Sequence, residues 1–383
     1  MCIFVYKRSA ITIAILSVLI LMACGKKSDP PTTTSTEDPP VPTYNLAWQT
    51  IGIGDFSDNA ASISLKVYDG TPYVAYKNTS DSNKVYVEKY DVNLGWIDVS
   101  GALSPTAVNS DAVAYVKMDI DSLGNVFVVY NLAALGTIKV IKFNGTAWSE
   151  IPGFADTTTY TPAIAIYSGK PCIAYIDSST RVAAKAYNGT NWIAVSMATA
   201  YTATDYISIY VNESLTTGYI AFRDSANSNK ASALIYTLGS GSASLIGTAG
   251  FSDNAASYIN ISVDSDDVPY VSYRDDTLLK AFVMKYNSGS GTWSKIGTSG
   301  LSTGDAEALS MHIYNKTLAV CYQDETSSDK VSAKISDGTS WFNFGIQGFS
   351  DNAVTETSIF VDSAESYVAY IDKTTNKITV KKY

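Results

Sequence analysis

The chain has 383 residues, 46% of them hydrophobic and only 16% charged, enough to bury a sizeable core in one large domain or two medium ones. Its 27 tyrosines and 25 glycines suit an all-β protein, in which aromatics fill pleated surfaces and glycines make turns. The formal net charge of −9 argues against binding nucleic acid or an anionic membrane through a basic surface.

In chain order, residues 1–23 read as a targeting segment. Lys7 and Arg8 precede ITIAILSVLILMA (11–23), an apolar run too short for a comfortable membrane span. The run ends in Leu21-Met22-Ala23-Cys24-Gly25, which resembles the lipobox of bacterial lipoproteins. The resemblance implies cleavage before Cys24 and lipidation of that residue. Gly25 at the next position, in place of Asp, implies the outer membrane if the host is Gram-negative. Loss of Lys7 and Arg8 makes the mature charge −11. Residues 24–43 then comprise the lipidated Cys and a Pro- and Thr-rich stretch with too few apolar residues to fold, a tether. Of the remaining cysteines, Cys2 leaves with the signal, and Cys172 and Cys321 fall in distant units, out of reach of each other for a disulfide.

Residues 44–383 are a repeat array. All six Trp residues sit in a slot W-x-x-[IVF]-[GSP], at 48, 96, 148, 192, 293 and 341. ASLIG (243–247) fills the double gap with Ala243 in the Trp position, giving seven units with a period of about 50 residues. Each unit reads as four short strands. In the fifth these are SYINISVD (257–264), with Ile259, Ile261 and Val263 on one face, then VPYVSY (268–273), LKAFVMKY (279–286) and the Trp strand. Seven such units without helical periodicity predict a seven-bladed β-propeller of four-stranded antiparallel blades. NLAWQTIG (45–52) is a fourth strand with no blade before it, and KITVKKY (377–383) is a third strand with none after it. Pairing these two would close the ring and hide its edges. The units are similar to the propeller repeats of bacterial secreted and surface lipoproteins across residues 44–383, a resemblance that implies architecture rather than activity.

Two sets of repeated residues fall on one face, the top. GFSDNAA (250–256) recurs as DFSDNAA (55–61) and GFSDNAV (348–354), directly after a Trp strand. It places Asp58, Asp253 and Asp351 on the top, and an apolar residue (Phe56, Phe251, Leu301, Phe349) as a wedge between blades. Second strands end near Asn78, Asp177, Asp224, Asp275, Asp324 and Asp372. This polar set can hold a sugar, a cation or a cationic partner, or it can cap turns, as Asp and Asn do by bonding their own backbone two residues on. The three arginines of the mature chain, Arg181, Arg223 and Arg274, lie on adjacent blades near these loops. Three arginines clamp the substrate carboxylate in sialidases. Against that reading, sialidases have six blades, and NGTAW (144), NGTNW (188) and DGTSW (337) match only the tail of their Asp-box; hairpin turns explain them equally.

The alternation of first strands puts Ser64, Lys117, Ala163, Ser208, Asn260, Ser310 and Ser358 at one level of the central channel. The next level holds Lys66, Asp119, Ala165, Tyr210, Ser262, His312 and Phe360. Lys66 and Asp119 are placed to pair, and His312, the single histidine, reads as a solvated channel residue. No catalytic motif is present, and no metal-ligand spacing. Asp-x-Asp at 119–121 and 264–266 hints at Ca²⁺ but lacks the full oxygen-ligand loop, so no cofactor is expected. The expected protein is a monomeric, non-catalytic, lipid-anchored module of the cell envelope that presents one propeller face to a protein partner, in kind like the lipoprotein propeller of the outer-membrane barrel-assembly machinery. A glycan-binding lectin is the alternative reading, and a sialidase-like or other glycoside hydrolase the second.

Overall fold

The computed structural model describes residues 47–197, 201–212, 216–238 and 242–383. The signal segment, Cys24, the tether and residues 44–46 lie outside the described residues. The fold is a seven-bladed β-propeller of antiparallel four-stranded blades. Blade 1 is Ala60–Tyr68, Thr71–Asn78, Lys84–Asp91 and Gly95–Asp98, and each later blade repeats this up-and-down order. Blade 7 has three of its strands at the end of the chain, and its fourth, Gln49–Thr50, comes from the start. Gln49 stands opposite Lys382 and Thr50 opposite Lys381, which is the closure the orphan strands required.

The core is distributed rather than central. Seven hydrophobic clusters fill the seven seams between neighbouring blades; the seam of blades 4 and 5, for example, joins Tyr219, Ala221 and Ala233 to Ile259, Ile261 and Tyr273. The aromatic that recurs near the end of each second strand anchors these seams. Tyr76, Phe222, Tyr273, Tyr322 and Tyr370 are all at most 1% exposed, and full burial of such a side chain contributes roughly 1.5–3 kcal/mol.

Adjacent first strands are linked side chain to backbone. The Ser64 hydroxyl accepts the Met118 amide, Ser208 that of Ile261, Ser310 that of Ile359, and Ser358 that of Leu65, at 3.1 Å each. A short polar residue on a first strand therefore satisfies a donor on the next blade that no neighbouring strand can reach. Six of the seven first strands carry a β-bulge near their start. At four of them a non-glycine residue takes positive φ: Ser62, Asp205, Tyr258 and Ala308. The Ser62 bulge is held by Glu356, whose carboxylate accepts the Ser62 and Ile63 amides at 2.7 and 2.9 Å.

Blade 4 departs from the pattern where Ala243 replaces Trp. Ser196–Met197, which follows blade 3, pairs in parallel with Ser242–Leu245, and Met197 stands opposite Ala243. A fifth strand covers the gap left by the missing indole, and Met197 and Ala243 share one apolar cluster.

Candidate functional site

The GFSDNAA crossover is a structural device in which each residue has a place. Phe56, Phe251 and Phe349 stack on Trp96, Trp293 and Trp48, with centroids 4.1, 4.4 and 4.7 Å apart and planes within 17° of parallel. Leu301 packs in the cluster that contains Trp341. The next residue, Ser57, Ser252, Ser302 or Ser350, accepts an amide from the first two residues of the preceding blade's third strand at 2.9–3.0 Å. Asn254 and Asn352 donate to Asp275 and Asp372 on the incoming blade. Five of the six indoles also donate Nε1–H to the carbonyl of the [IVF] or Pro position one blade back: Trp48 to Phe344, Trp96 to Ile51, Trp192 to Pro152, Trp293 to Ile246 and Trp341 to Ile296. The glycine after that carbonyl lies against the same indole; a Cβ on Gly345, at φ 76°, would come within 2.8 Å of Trp48.

The acids of the second-strand ends turn inward to their own loops. Asp224, Asp275, Asp324 and Asp372 are at most 4% exposed. Their carboxylates accept the amides of Ala226, of Thr277 and Leu278, of Thr326, and of Thr374 and Thr375. Asn78 does the same for Ser80 and Asp81, and Asp177 for Ser179 and Arg181. Turn chemistry therefore accounts for this set. Asp58, Asp253 and Asp351 do face solvent. Asp253 meets Lys295 at 2.5 Å, Asp351 meets Lys381 at 3.5 Å, and Asp58 accepts from Asn78 at 3.3 Å. Asp121 and Asp264 of the two Asp-x-Asp stretches are likewise occupied by the amides of Leu123 and Asn125, and of Asp266 and Val268.

Each of the three arginines already holds a carboxylate. Arg181 pairs with Asp177 of its own turn at 2.8 Å. Arg223 and Arg274 share Asp276, at 3.0 and 3.4 Å, and Arg274 makes a two-pronged contact with Asp305 at 2.8 and 3.0 Å. Hydrogen bonding to Asp305 first, and the charges of Asp305, Glu307 and Asp276, hold its guanidinium above the usual arginine range. Arg223 and Arg274 converge on one acid, and Arg181 stays with its own turn, so no open three-arginine clamp forms.

The central channel encloses about 860 Å³, and both expected levels of seven first-strand residues line it. Lys66 and Asp119 pair across blades 1 and 2 at 3.0 Å. Asp119 also accepts the Ile166 amide of blade 3. His312 is less open than a solvated residue: it stacks on Phe360 at 4.3 Å, and its Nδ1 accepts the Val361 amide at 3.2 Å. Burial, and then the charge of Lys66, pushes its pKa down to about 3. Cys172 and Cys321 are buried and free.

A site that the sequence reading did not single out lies at blade 2. The loop after the blade 1 Trp strand reads Val108-Asn109-Ser110-Asp111 where those entering blades 1, 5 and 7 read Phe-Ser-Asp-Asn. The backbone register is the same: the Val108 amide donates to Val85 O, and Asn109 Oδ1 accepts the Val85 amide. Valine thus takes the wedge position over Trp148, and its smaller side chain leaves a cleft of about 280 Å³. Trp148 is also the one indole with no Nε1 acceptor among the described residues. Tyr130, Lys139, Glu150, Asn109 and Asp111 line the same cleft. Lys139 holds Glu150 at 2.8 Å. The Tyr130 hydroxyl has no hydrogen-bond partner among the described residues. Burial, followed by the charges of Glu150 and Asp111, pushes its pKa up to about 12, so it stays a donor at neutral pH. The cleft offers an aromatic face, indole and phenol donors, and carboxylate acceptors. The signal for it was in the sequence: a unit that keeps its Trp but carries valine where the others carry Phe or Leu.

No family model matches the chain, and no curated protein matches it. Among solved structures, the SapL1 lectin in complex with alpha methyl fucoside is similar at 12% identity and TM-score 0.52, covering 76% of this chain and 97% of that one. A protein of unknown function from Dyadobacter fermentans aligns at 9% identity and TM-score 0.50, covering 88% and 98%. An alpha-L-arabinanase from Penicillium chrysogenum, complexed with arabinobiose, aligns at 12% identity and TM-score 0.47, covering 71% and 93%. At these identities the likeness is one of fold.

Proposed function

We propose that the protein is a glycan-binding propeller whose principal site is the Trp148 cleft of blade 2. The observation that carries the reading is the Val108–Trp148 substitution within an otherwise regular array. Where other blades cover the indole with Phe or Leu and tie its N–H to a neighbouring carbonyl, this blade leaves both open. Sugars bind such sites by laying C–H faces on an aromatic ring while their hydroxyls bridge donors and acceptors at its edge. Tyr130 and Trp148 supply donors; Asp111 and Glu150 supply acceptors. This favours glycan binding over a protein scaffold, because the departure from the repeat is a small polar cleft with a stacking platform rather than a broad apolar face. The lectin among the similar folds is in keeping with it. The protein binds its glycan without catalysis.

The module acts as a monomer, held to the cell envelope by lipid on Cys24, at the outer membrane if the host is Gram-negative. The lipobox resemblance and the apolar run before it support this placement. Labelling with a radioactive fatty acid tests the anchor: label should enter the wild type and be absent from Cys24→Ala. Screening the domain on a glycan array tests the ligand class. Binding to a defined set of terminal sugars supports the reading, and a silent array counts against it.

A further inference from the structure

The central channel contains a cation that the ring does not use. Of its other charged groups, all but Asp205 have partners. Lys66 is paired with Asp119. The Lys77 ammonium donates to Ala114 O at 3.0 Å. Glu356 is occupied by the Ser62 and Ile63 amides. Asp205 stands exposed on its bulge at the channel mouth, and the His312 Nδ1 is taken by Val361. The ammonium of Lys117, on the first strand of blade 2, makes no ion pair or hydrogen bond with any described residue.

The serines at the level of Lys117 add donors of the same kind. The Oγ atoms of Ser208, Ser310 and Ser358 each accept an amide from the next blade. Their hydroxyl hydrogens meet no acceptor among the described residues, and so remain to be given to something in the channel. An ammonium and several hydroxyl donors of one level thus face the same channel, where the Asn260 side chain donates to Tyr258 O and Leu309 O and Asp205 stands at the mouth. Burial lowers the Lys117 pKa, the charge of Lys66 lowers it further and Glu356 opposes the change; a bound anion would relieve the cost of that charge.

We propose that the channel binds a small oxyanion on the Lys117 ammonium, with the serine hydroxyls of the same level completing its shell. Tetrahedral phosphate and a carboxylate share this chemistry, and the size of the channel admits either alone or as the end group of a larger molecule. Inorganic phosphate, sulfate and acetate, each at constant ionic strength set with chloride, are therefore the probes.

Two readouts test the site on the whole domain. Calorimetric titration should show saturable binding of at least one probe to wild type, weakened at least tenfold in Lys117→Met and in Lys117→Gln. Lys117 acylation by a small amine-reactive acyl donor such as acetic anhydride, followed by mass spectrometry, should slow in wild type when that probe is present, while acylation of exposed Lys373 is unchanged. Phosphate binding with acetate silent assigns a tetrahedral anion, and the reverse assigns a carboxylate; either supports the site. Equal affinity in the variants, or no binding and no protection by any of the three probes, overturns it. Should neither variant fold, protection of the wild-type residue decides alone.

Discussion

Phe56 lies flat on Trp96, with ring centroids 4.1 Å apart and planes 8° from parallel. The phenylalanine belongs to the crossover that enters blade 1, the tryptophan to the last strand of that blade, so the contact ties the blade's outer edge to the seam behind it. One unit later, Val108 occupies the same register over Trp148 and the pair no longer closes. A single position in the repeat thus serves stability in one blade and opens a cleft in the next.

The wedge should carry measurable stability. Phe56→Ala and Phe251→Ala each remove a half-buried ring from an indole face, and each is expected to lower the unfolding free energy by about 2–4 kcal/mol. Val108→Phe restores the repeat's own residue and is expected to leave stability unchanged or raise it. Denaturant titration with tryptophan fluorescence measures all three. A neutral Phe→Ala change would remove the wedge from the account.

Ring closure depends on Trp48 and the short strand after it. Trp48 stacks on Phe349, meets Phe344 edge-on at 5.2 Å and donates to Phe344 O at 2.7 Å. Trp48→Ala is expected to cost about 3–5 kcal/mol. Removal of residues through Gly52 should unfold the domain or make it oligomerise, because blade 7 then exposes Ile378–Lys382 as an unpaired edge. A truncated domain that stays monomeric in size-exclusion chromatography with an unchanged Tm would contradict closure by this pair.

Stability against pH should show two opposed terms. Burial raises the Glu88 pKa from an ordinary 4.5 to about 7, despite the Tyr76 hydroxyl at 2.7 Å, with Asp98 and Asp58 adding to the rise. The folded state then holds the extra proton between about pH 4.5 and 7, and stability falls as pH rises through that window. His312 is the reverse. Its folded pKa is near 3 against an ordinary 6.5, so the unfolded state holds the extra proton between those values and stability rises with pH there. The two slopes, each up to about 1.4 kcal/mol per pH unit, oppose one another from roughly pH 4.5 to 6.5. Glu88→Gln should expose a stability that climbs with pH over that range, and His312→Gln one that declines. Unfolding free energies at half-unit steps check both signs.

The architecture was legible because its signals repeat. Trp slots at regular spacing gave seven units, period-two alternation gave the channel-facing residues, and orphan strands at both ends gave the closure. The Lys66–Asp119 pair followed from the same alternation. What the sequence concealed was local. The bulges place Tyr258 and Ala308 in a left-handed conformation that neither residue advertises. The strand Ser196–Met197 is too short for any pattern to mark. The inward turn of Asp224 and Asp324 depended on which amides lay within reach. The Trp148 cleft was hidden because repeats draw attention to what recurs, whereas this site is defined by Val108, a residue that breaks the repetition.

The most direct measurement is calorimetric titration of array-selected glycans into wild type, Trp148→Ala and Val108→Phe. The account predicts saturable binding to wild type and a loss of at least about tenfold in affinity for Trp148→Ala, a change of about 1.4 kcal/mol or more. It predicts a comparable loss for Val108→Phe, with the folded state intact, because the added ring fills the cleft. Undiminished affinity in a folded Val108→Phe domain would contradict it.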